Sequence, residues 1–266
     1  MKYVEIKGIG FPNKGADLLL SSVLKELKKR NLIACMEPYS PYHYKLNYPI
    51  MTKTSIYKYG INLLWPINLL PSYVLIRFGF IKPSQIDLIL DASGFAYGDN
   101  WEPSLAKSRI LSDKKTKKIL LPQSLGPFTK NPSIKIANKI AKLVDKVISR
   151  EHEGVEHFKN VTGRSIPYCP DITFLFQVKK NIEFKRDVLL VPNFQVFKRE
   201  GSAYIENLVR VINQAISLKR TPTLLNHEGI KDQEICHKIA SIIFEETKIK
   251  LETLNPETGR EAKEII

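Results

Sequence analysis

Residues that could bind or act on a ligand follow several of the hydrophobic runs in this sequence. They are Asn13, Lys14, Asp17, Ser93, Gly94, Gln123, Ser124, Arg150, Asp171, Asn193 and His227. Amides and hydroxyls can bind polar groups, a guanidinium can hold a carboxylate or phosphate through two hydrogen bonds, and histidine or aspartate can transfer protons. In open parallel sheets, ligands bind outside the carboxyl ends of the strands. The turns therefore predict a site for a small polar or anionic molecule.

The first of these turns, "GIGFPNKGAD" at residues 8–17, joins a strand, "KYVEI", to an amphipathic helix, "ADLLLSSVLKELKKR". Glycine permits close backbone approach, and the free N–H groups at a helix start favour an anion. The spacing G-x-G-x4-G fits neither the dinucleotide fingerprint nor the phosphate loop. A ligand pocket and a tight connection both remain open, and Asp17 is also a carboxylate of the kind favoured at a helix N-terminus.

Two charged residues later in the chain each have two interpretations. Arg150 follows a strand and could bind a phosphate or carboxylate, or it could pair with Glu151 or Glu153. Asp171, which follows Pro170, could act as a base or orient a substrate hydroxyl, or it could cap the chain between two domains. The sequence leaves both pairs of alternatives open.

The remaining turns supply a histidine and two hydrogen-bonding residues. His227 lies beside Glu228, which could raise its pKa and let it serve as an acid or base, although a lone histidine is more often structural. Gln123 and Ser124 could donate to a ligand oxygen from a loop stiffened by Gly126 and Pro127. Asn193 ends a later strand and is a further candidate for substrate binding.

Histidine and cysteine spacing gives no reason to expect a metal site. His152 and His157 are five residues apart, whereas the useful helical spacing is four, and the three cysteines are widely separated. An odd number of isolated cysteines fits a reducing compartment. The sequence begins directly with a strand and shows no secretory signal, so we expect a cytoplasmic location.

Alternating strand and helix patterns predict an α/β protein with two doubly wound, mostly parallel sheets. We place the domains at 1–178 and 179–266, with an insertion at about 38–83 in the first, and we expect a helix at 102–115. Three strands are visible after the boundary, and the sequence stops within a helical pattern, so the second domain looks truncated. The two sheets bring the candidate residues to their strand ends.

The charge balance and one apolar segment bear on partners. The formal net charge is +14, which favours an anionic partner such as a phosphorylated molecule or a membrane surface. Residues 61–80 are apolar, but Pro66, Pro71 and the scattered polar residues argue against a membrane span. We expect a core helix or buried loop there, while a hairpin embedded in an anionic membrane surface stays open.

Taken in order, the turns resemble those of the polysaccharide pyruvyl transferase family. The matching motifs are "GFPNKGAD", "DASGFAYGD", "LPQSLGPF", "SREHEG", "CPDITF" and "NHEGIKD". The resemblance implies two Rossmann-like domains in a GT-B-like arrangement. It also implies transfer of a pyruvyl group from phosphoenolpyruvate to a sugar of a cell-surface glycan or its lipid-linked precursor, typically as a ketal, with release of phosphate.

The resemblance also suggests roles for the candidate residues. Phosphoenolpyruvate carries two anionic groups, for which Arg150 and the turn at residues 8–15 are the first-domain candidates, with His227 and Asp171 as the acid or base. Phosphoenolpyruvate is the donor substrate, and no cofactor or nucleic acid is expected. The family continues into a Ser-Arg-x-His-type segment that these 266 residues do not contain, so we expect this length to be poorly active.

Two other functions compete with this one. A nucleotide-sugar glycosyltransferase of GT-B type would use the same architecture, since fold alone does not decide function. A non-catalytic protein that binds an anionic polymer or the inner face of the membrane would use the positive charge and show steeply salt-dependent binding. The ordered turns favour the pyruvyl transferase, because a net charge is not specific to any partner.

Overall fold

A computed structural model describes residues 2–9, 13–38, 48–58, 61–101, 116–177 and 187–266. The chain divides into two compact units. The first contains Met1–Gly10 and Leu19–Phe176, and the second contains Phe11–Leu18 and Gln177–Ile266. The domain boundary predicted at 178 and the helix predicted at 102–115 both lie outside the described residues. The assignment of residues 11–18 to the second unit was not anticipated from the sequence.

The described strands are short and mostly buried. They are β1 (Lys2–Lys7), β2 (Leu32–Met36), β3 (Met51–Lys53), β4 (Tyr57–Lys58), β5 (Ile61–Asn62), β6 (Phe80–Ile81), β7 (Ile86–Asp91), β8 (Lys117–Gln123), β9 (Lys146–Ser149), β10 (Val188–Leu190), β11 (Pro222–Leu225) and β12 (Glu252–Leu254). In the first unit seven of them form a parallel sheet in the order β6-β3-β2-β1-β7-β8-β9. β3 and β6 extend this sheet from within the predicted insertion, and β4 and β5 form a small antiparallel hairpin.

The helices between these strands cover the sheets. They are α1 (Lys14–Lys29), α2 (Ser72–Arg77), α3 (Asn131–Leu143), α4 (His152–Thr162), α5 (Phe194–Glu200), α6 (Ser202–Ser217), α7 (Ile230–Thr247) and α8 (Gly259–Ile265). In the first unit, Ile140 of α3 and Phe158 of α4 join Leu120 and Val147 of the sheet in one buried cluster. Among the described helices, none combines the length and apolar character needed to cross a membrane.

The second unit contains a parallel sheet in the order β10-β11-β12. Its core is formed by Ile212 of α6, Ile239 and Ile243 of α7, and Leu224 of β11, all fully buried. The apolar side chains of α6 and α7 recur at helical spacing, so one stripe of each helix packs on the strands. Both units therefore have the predicted α/β construction with parallel strands.

The prediction of a buried core at residues 61–80 is wrong. Trp65, Leu69, Tyr73 and Phe78 are each more than half exposed, and among the large apolar side chains of this segment Leu75 is fully buried. The apolar composition gave the expectation of burial, but composition does not show which side of a short segment faces the sheet.

Candidate functional site

A buried hydrogen-bond network lies at the ends of β7 and β8 in the first unit. Asp91, which ends β7, is fully buried and accepts from the Tyr97 hydroxyl at 2.5 Å and the Ser93 N–H at 2.9 Å. Gln123 is also fully buried; its Nε2 donates to the Asp91 carbonyl oxygen at 3.1 Å, and its Oε1 accepts from Ser93 Oγ at 3.1 Å. The predicted direct contact of Gln123 with a ligand does not fit this geometry, because both ends of its amide are bonded within the protein.

Close backbone packing explains the first glycine of the opening turn. Gly8 has a φ of +84°, and a Cβ at this position would lie 2.6 Å from the Cβ of Ser93 and 2.7 Å from its nitrogen. The loop after β7 therefore occupies the space beside Gly8. The expectation that the turn is rich in glycine so that substrate can lie against it is not supported at this position, since the neighbour of Gly8 is protein.

Four residues at the strand ends of the first unit form what we call the Arg150 cluster: Ser124, Arg150, Glu151 and Asp171. Nη1 of Arg150 donates to Asp171 Oδ2 and its Nε donates to Ser124 Oγ, both at 2.9 Å. Ser124 Oγ in turn donates to Glu151 Oε1 at 2.6 Å, and this carboxylate lies 3.5 Å from Arg150 Nε. The Arg150 side chain keeps 29% of its surface exposed. It is therefore fixed by its neighbours yet accessible.

Asp171 occupies a position that suits orientation better than proton transfer. Its Oδ1 accepts from the Thr173 N–H at 2.9 Å and caps a short 3-10 helix, Ile172–Leu175, while its Oδ2 accepts from Arg150. Both oxygens thus have partners. The capping interpretation made from the sequence agrees with these contacts, and the role of Asp171 as a base stays a prediction.

Gly94 lies beside the Arg150 cluster, and Tyr168 contacts a histidine that follows Arg150 in the chain. Gly94 has a φ of +77°, and a Cβ there would lie 3.6 Å from Nη1 of Arg150. Tyr168 stacks on His152, with ring centroids 4.1 Å apart. The sequence analysis missed Asp91, Tyr97 and Tyr168. An aspartate that directly ends a buried strand was the available signal for Asp91, but the stacking of Tyr168 has no local signature.

The predicted ligand residues of the opening turn belong to the second unit and bind other parts of the protein. Asn13 Oδ1 accepts from the Ala16 N–H at 3.1 Å, which caps α1, and its Nδ2 donates to Glu228 Oε1 at 2.9 Å. Asp17 Oδ2 accepts from the Gly259 N–H at 2.8 Å. The polar side chains of this turn are thus paired with residues after β11 and at the start of α8, in the unit that contains residues 11–18, and the predicted domain bounds stay a prediction.

Lys14 is buried beside the loop that follows β11. Its Nζ donates to the carbonyl oxygens of Asn226 at 3.2 Å and His227 at 3.0 Å, and the residue is 8% exposed. Burial lowers the pKa of Lys14, while the nearby carboxylates of Asp232 and Glu228 oppose that shift. Because its hydrogen bonds go to two successive backbone oxygens, Lys14 holds the loop after β11 in place.

The pKa of His227 shifts in the direction opposite to the one predicted from Glu228. Burial lowers it below the ordinary value of 6.5, the positive charge of Lys14 lowers it further, and Glu228 and Asp232 only partly oppose these effects. The imidazole is therefore neutral at neutral pH. A neutral imidazole is suited to accepting a proton.

Asn193 and Asp232 organise the neighbouring helix starts of the second unit. Asn193 Oδ1 accepts from the N–H groups of Gln195 at 2.8 Å and Val196 at 3.2 Å, so the predicted substrate-binding residue is a helix cap. Asp232, which the sequence analysis missed, is 2% exposed and accepts from the N–H groups of Phe194 at 2.8 Å and Glu228 at 3.0 Å.

Asn226 is a second missed residue in this region. Its Nδ2 donates to Asn255 Oδ1 at 3.0 Å, and its Oδ1 is buried without a hydrogen-bond partner among the described residues. The side chain is 5% exposed. Asparagine at the end of a strand was visible in the sequence, but the pairing with Asn255 depends on the register of β11 and β12.

Solved structures of similar fold include a UDP-GlcNAc 2-epimerase. A UDP-GlcNAc 2-epimerase from Methanocaldococcus jannaschii has a TM-score of 0.54 and 13% identity over 99% of this chain and 77% of its own. A putative UDP-N-acetylglucosamine 2-epimerase from Listeria monocytogenes has a TM-score of 0.57 and 9% identity, and the match covers 100% of this chain and 71% of the other. MnaA from S. aureus, solved with UDP, has a TM-score of 0.54 and 14% identity, and the match covers 99% of this chain and 71% of the other. The predicted α/β class with Rossmann-like sheets and GT-B-like relatives is confirmed.

Sequence comparison identifies the family. No curated protein sequence matches the chain significantly. The family model described as polysaccharide pyruvyl transferase matches residues 13–259, which include the Arg150 cluster, Lys14 and His227. The resemblance seen in the ordered turns is therefore confirmed, and this chain belongs to the polysaccharide pyruvyl transferase family.

Proposed function

We propose that this chain transfers a pyruvyl group from phosphoenolpyruvate to a sugar of a cell-surface polysaccharide or its lipid-linked precursor. Family membership supports a transferase with a sugar acceptor. The observation that carries the choice of donor is the partly exposed guanidinium of Arg150, held by Asp171 and Ser124. Phosphoenolpyruvate has a carboxylate and a phosphate, and either group fits a fixed, planar cation.

The proposed reaction forms a ketal. Two sugar hydroxyl oxygens bond to C2 of phosphoenolpyruvate, the C2–O bond to phosphate breaks, and C3 gains a proton to become a methyl group. The two hydroxyls lose two protons; one balances the proton gained at C3, and the other leaves with phosphate. The reaction therefore needs a group that accepts a hydroxyl proton and a cation that stabilises the donor.

The residues of the chain divide these tasks in our proposal. Arg150 binds the carboxylate or phosphate of the donor, and Asp171 orients Arg150. His227 accepts a hydroxyl proton, because its lowered pKa keeps the imidazole neutral. Asp171 as the base is the less favoured assignment, since both of its oxygens are already bonded.

The proposal includes the cellular setting of the reaction. Phosphoenolpyruvate is the donor substrate, and the chemistry needs no further cofactor, because every bond change involves only donor, acceptor and protons. We place the reaction in the cytoplasm, where the donor substrate phosphoenolpyruvate is available. Nucleic acid is not a partner in this proposal.

The test is phosphate release from phosphoenolpyruvate with a panel of free and lipid-linked sugars, combined with mass analysis of the acceptor. We expect phosphate release together with a pyruvylated sugar, and we expect phosphoenolpyruvate to raise the thermal midpoint of the protein. If UDP stabilises the protein and phosphoenolpyruvate neither binds nor reacts, a nucleotide-sugar enzyme replaces the proposal. Salt-sensitive binding to an anionic polymer, without binding of phosphoenolpyruvate, would support a non-catalytic binding protein.

A further inference from the structure

Residues 61–80 carry an unusual density of exposed apolar side chains, which we call the apolar segment. Of the twenty-two large hydrophobic side chains exposed among the described residues, nine lie in these twenty positions. The most exposed include Tyr73 at 76%, Leu69 at 73%, Phe78 at 71% and Trp65 at 58%. Exposed apolar residues are normal when scattered, whereas a concentration of this kind marks an interaction surface.

The two asparagines of the apolar segment form hydrogen bonds within the protein, in contrast to its exposed apolar side chains. Asn62 Oδ1 accepts from the N–H groups of Ile56 at 3.0 Å and Leu64 at 3.1 Å. Asn68 Nδ2 donates to the carbonyl oxygen of Thr54 at 3.1 Å, and Thr54 itself is 1% exposed. The asparagines that argue against a membrane span in the sequence are thus internal supports of the fold.

One buried apolar side chain fixes the rest of the segment to the first unit. Leu75 of α2 is 3% exposed, and the neighbouring Ile76 packs against the cluster that contains Tyr3 and Ile81. Backbone hydrogen bonds from Thr52 to Gly79 and from Thr54 to Ile81, at 2.8 Å each, connect the end of the segment to the edge of the sheet. The exposed apolar side chains are therefore carried on a supported scaffold.

The charge around the apolar segment selects the partner. Between Glu37 and Asp87 the sequence has no acidic residue but five lysines and arginines, of which Lys53 is buried in an ion pair with Glu5. Arg77 lies within the segment and Lys58 precedes it, and both are exposed. Exposed lysine and arginine side chains attract anionic headgroups, and tryptophan and tyrosine favour the boundary between lipid and water.

We propose that the apolar segment docks this chain onto a bilayer with anionic headgroups. Pro66, Pro71 and the six-residue α2 keep the segment too short and interrupted to span, so it lies in the interfacial region. Trp65, Leu69 and Tyr73 enter the headgroup and upper acyl region, while Arg77 pairs with lipid phosphate. The proposal rests on exposure and charge alone and stands independently of the reaction that the chain catalyses.

The first experiment is flotation with vesicles of phosphatidylglycerol and phosphatidylcholine. We expect the wild-type protein to float with these vesicles and the double variant Trp65→Ser, Leu69→Ser to lose at least about tenfold in partition coefficient, since both side chains lose apolar surface in the bilayer. Leu218→Ser is the matched control, because Leu218 is 65% exposed and lies outside the segment. Thermal midpoints verify that each variant is folded.

A second measurement reports depth of insertion directly. The sequence has two tryptophans, Trp65 and Trp101, so the variant Trp101→Phe leaves Trp65 as the single indole. We expect its emission to shift to shorter wavelength on addition of the anionic vesicles and much less with phosphatidylcholine alone. Arg77→Glu is expected to weaken binding about tenfold, and Lys135→Glu, an exposed residue of α3 with the same charge change, is expected to leave it unchanged.

Three results would overturn the docking proposal. The first is absence of binding to anionic vesicles by the folded wild-type protein. The second is equal loss of binding in the Leu218→Ser control and the double variant. The third is a dimer that the Trp65→Ser, Leu69→Ser variant dissociates while vesicle binding is absent, because a second copy would then cover the segment. Turnover of phosphoenolpyruvate is measured without membranes using a soluble sugar, so failure of either proposal is seen separately.

Discussion

The Arg150 cluster and the surroundings of Lys14 contain the same kinds of residue but use them differently. Arg150 bonds to side chains, Asp171 and Ser124, and keeps part of its surface in water. Lys14 is buried and donates to the backbone oxygens of Asn226 and His227. A cation in one of these turns is therefore open to a ligand only when its neighbours orient it without covering it.

Burial also gives the two regions different electrostatics. The carboxylates of Asp171 and Glu151 lie beside Arg150 in a partly hydrated position, where their interactions are screened. In the region of Lys14, burial lowers the pKa of His227, and the positive charge of Lys14 lowers it further. The first region thus holds a partly hydrated cation, which our proposal uses for an anion, and the second holds a neutral imidazole.

We expect the greatest loss of folding stability where Gly8 packs against Ser93 at the strand ends of the first unit. Gly8→Ala should lower the free energy of unfolding by about 3 kcal/mol, because it combines a positive φ with a Cβ in contact with the Ser93 backbone. Gly79→Ala is the matched control: its φ of +79° carries the same conformational strain, but nothing lies within 4 Å of the added Cβ. Urea unfolding measures both variants, and equal losses would contradict the packing argument.

The next effect tests the Arg150 cluster as the anion site. Arg150→Lys should lower kcat/KM for phosphoenolpyruvate by about tenfold to a hundredfold, because lysine cannot form the planar, two-bond contact. Arg220→Lys is the control, since Arg220 also pairs with an aspartate, Asp187, but is 62% exposed on the surface of the second unit. Steady-state kinetics measures kcat/KM of both variants, and urea unfolding verifies that both are as stable as the wild-type protein. An unchanged kcat/KM in Arg150→Lys would rule out the proposed donor site.

A smaller effect is expected at Lys14. Lys14→Met should cost about 1–3 kcal/mol of folding stability, because two carbonyl oxygens lose their donor, and it should raise the pKa of His227 by removing a nearby positive charge. Lys28→Met, an exposed lysine of the same helix, is the control and should change neither quantity. Unfolding and proton NMR titration of the imidazole provide the measurements; a lower pKa in Lys14→Met would refute the assigned cause.

The smallest effect is the dependence of stability on pH. The folded-state pKa of His227 lies below the ordinary value of 6.5, so below that pH the unfolded chain binds more protons than the folded one. The contribution of His227 to stability is therefore full above pH 6.5 and decreases as the pH falls toward the lower folded-state value. His227→Gln should flatten this part of the stability profile, and an identical slope in the variant would show that other groups produce it.

Local patterns predicted the elements with useful accuracy. The short runs "KYVEI" and "IDLILD" correspond to β1 and β7, which are buried along most of their length as expected for strands of a parallel sheet. The helical spacing of apolar residues in "SAYIENLVRVINQAIS" corresponds to α6, which buries one stripe. Residues 61–80 show where this reasoning fails. Their apolar character is local, but their exposure depends on Asn62, Asn68 and Leu75 facing the fold.

The α/β class, the ordered turns at the strand ends and the family could all be predicted before any coordinates, since each depends on residue type and order along the chain. The contacts that the residues in those turns make became visible only in the folded chain. Asn13 bonds to Glu228 and Lys14 to the loop after β11, more than two hundred positions away, while Arg150 meets Asp171 and remains partly exposed. Burial and distant pairing arise from packing, and that physical difference separates the fixed cation of Arg150 from the buried cation of Lys14.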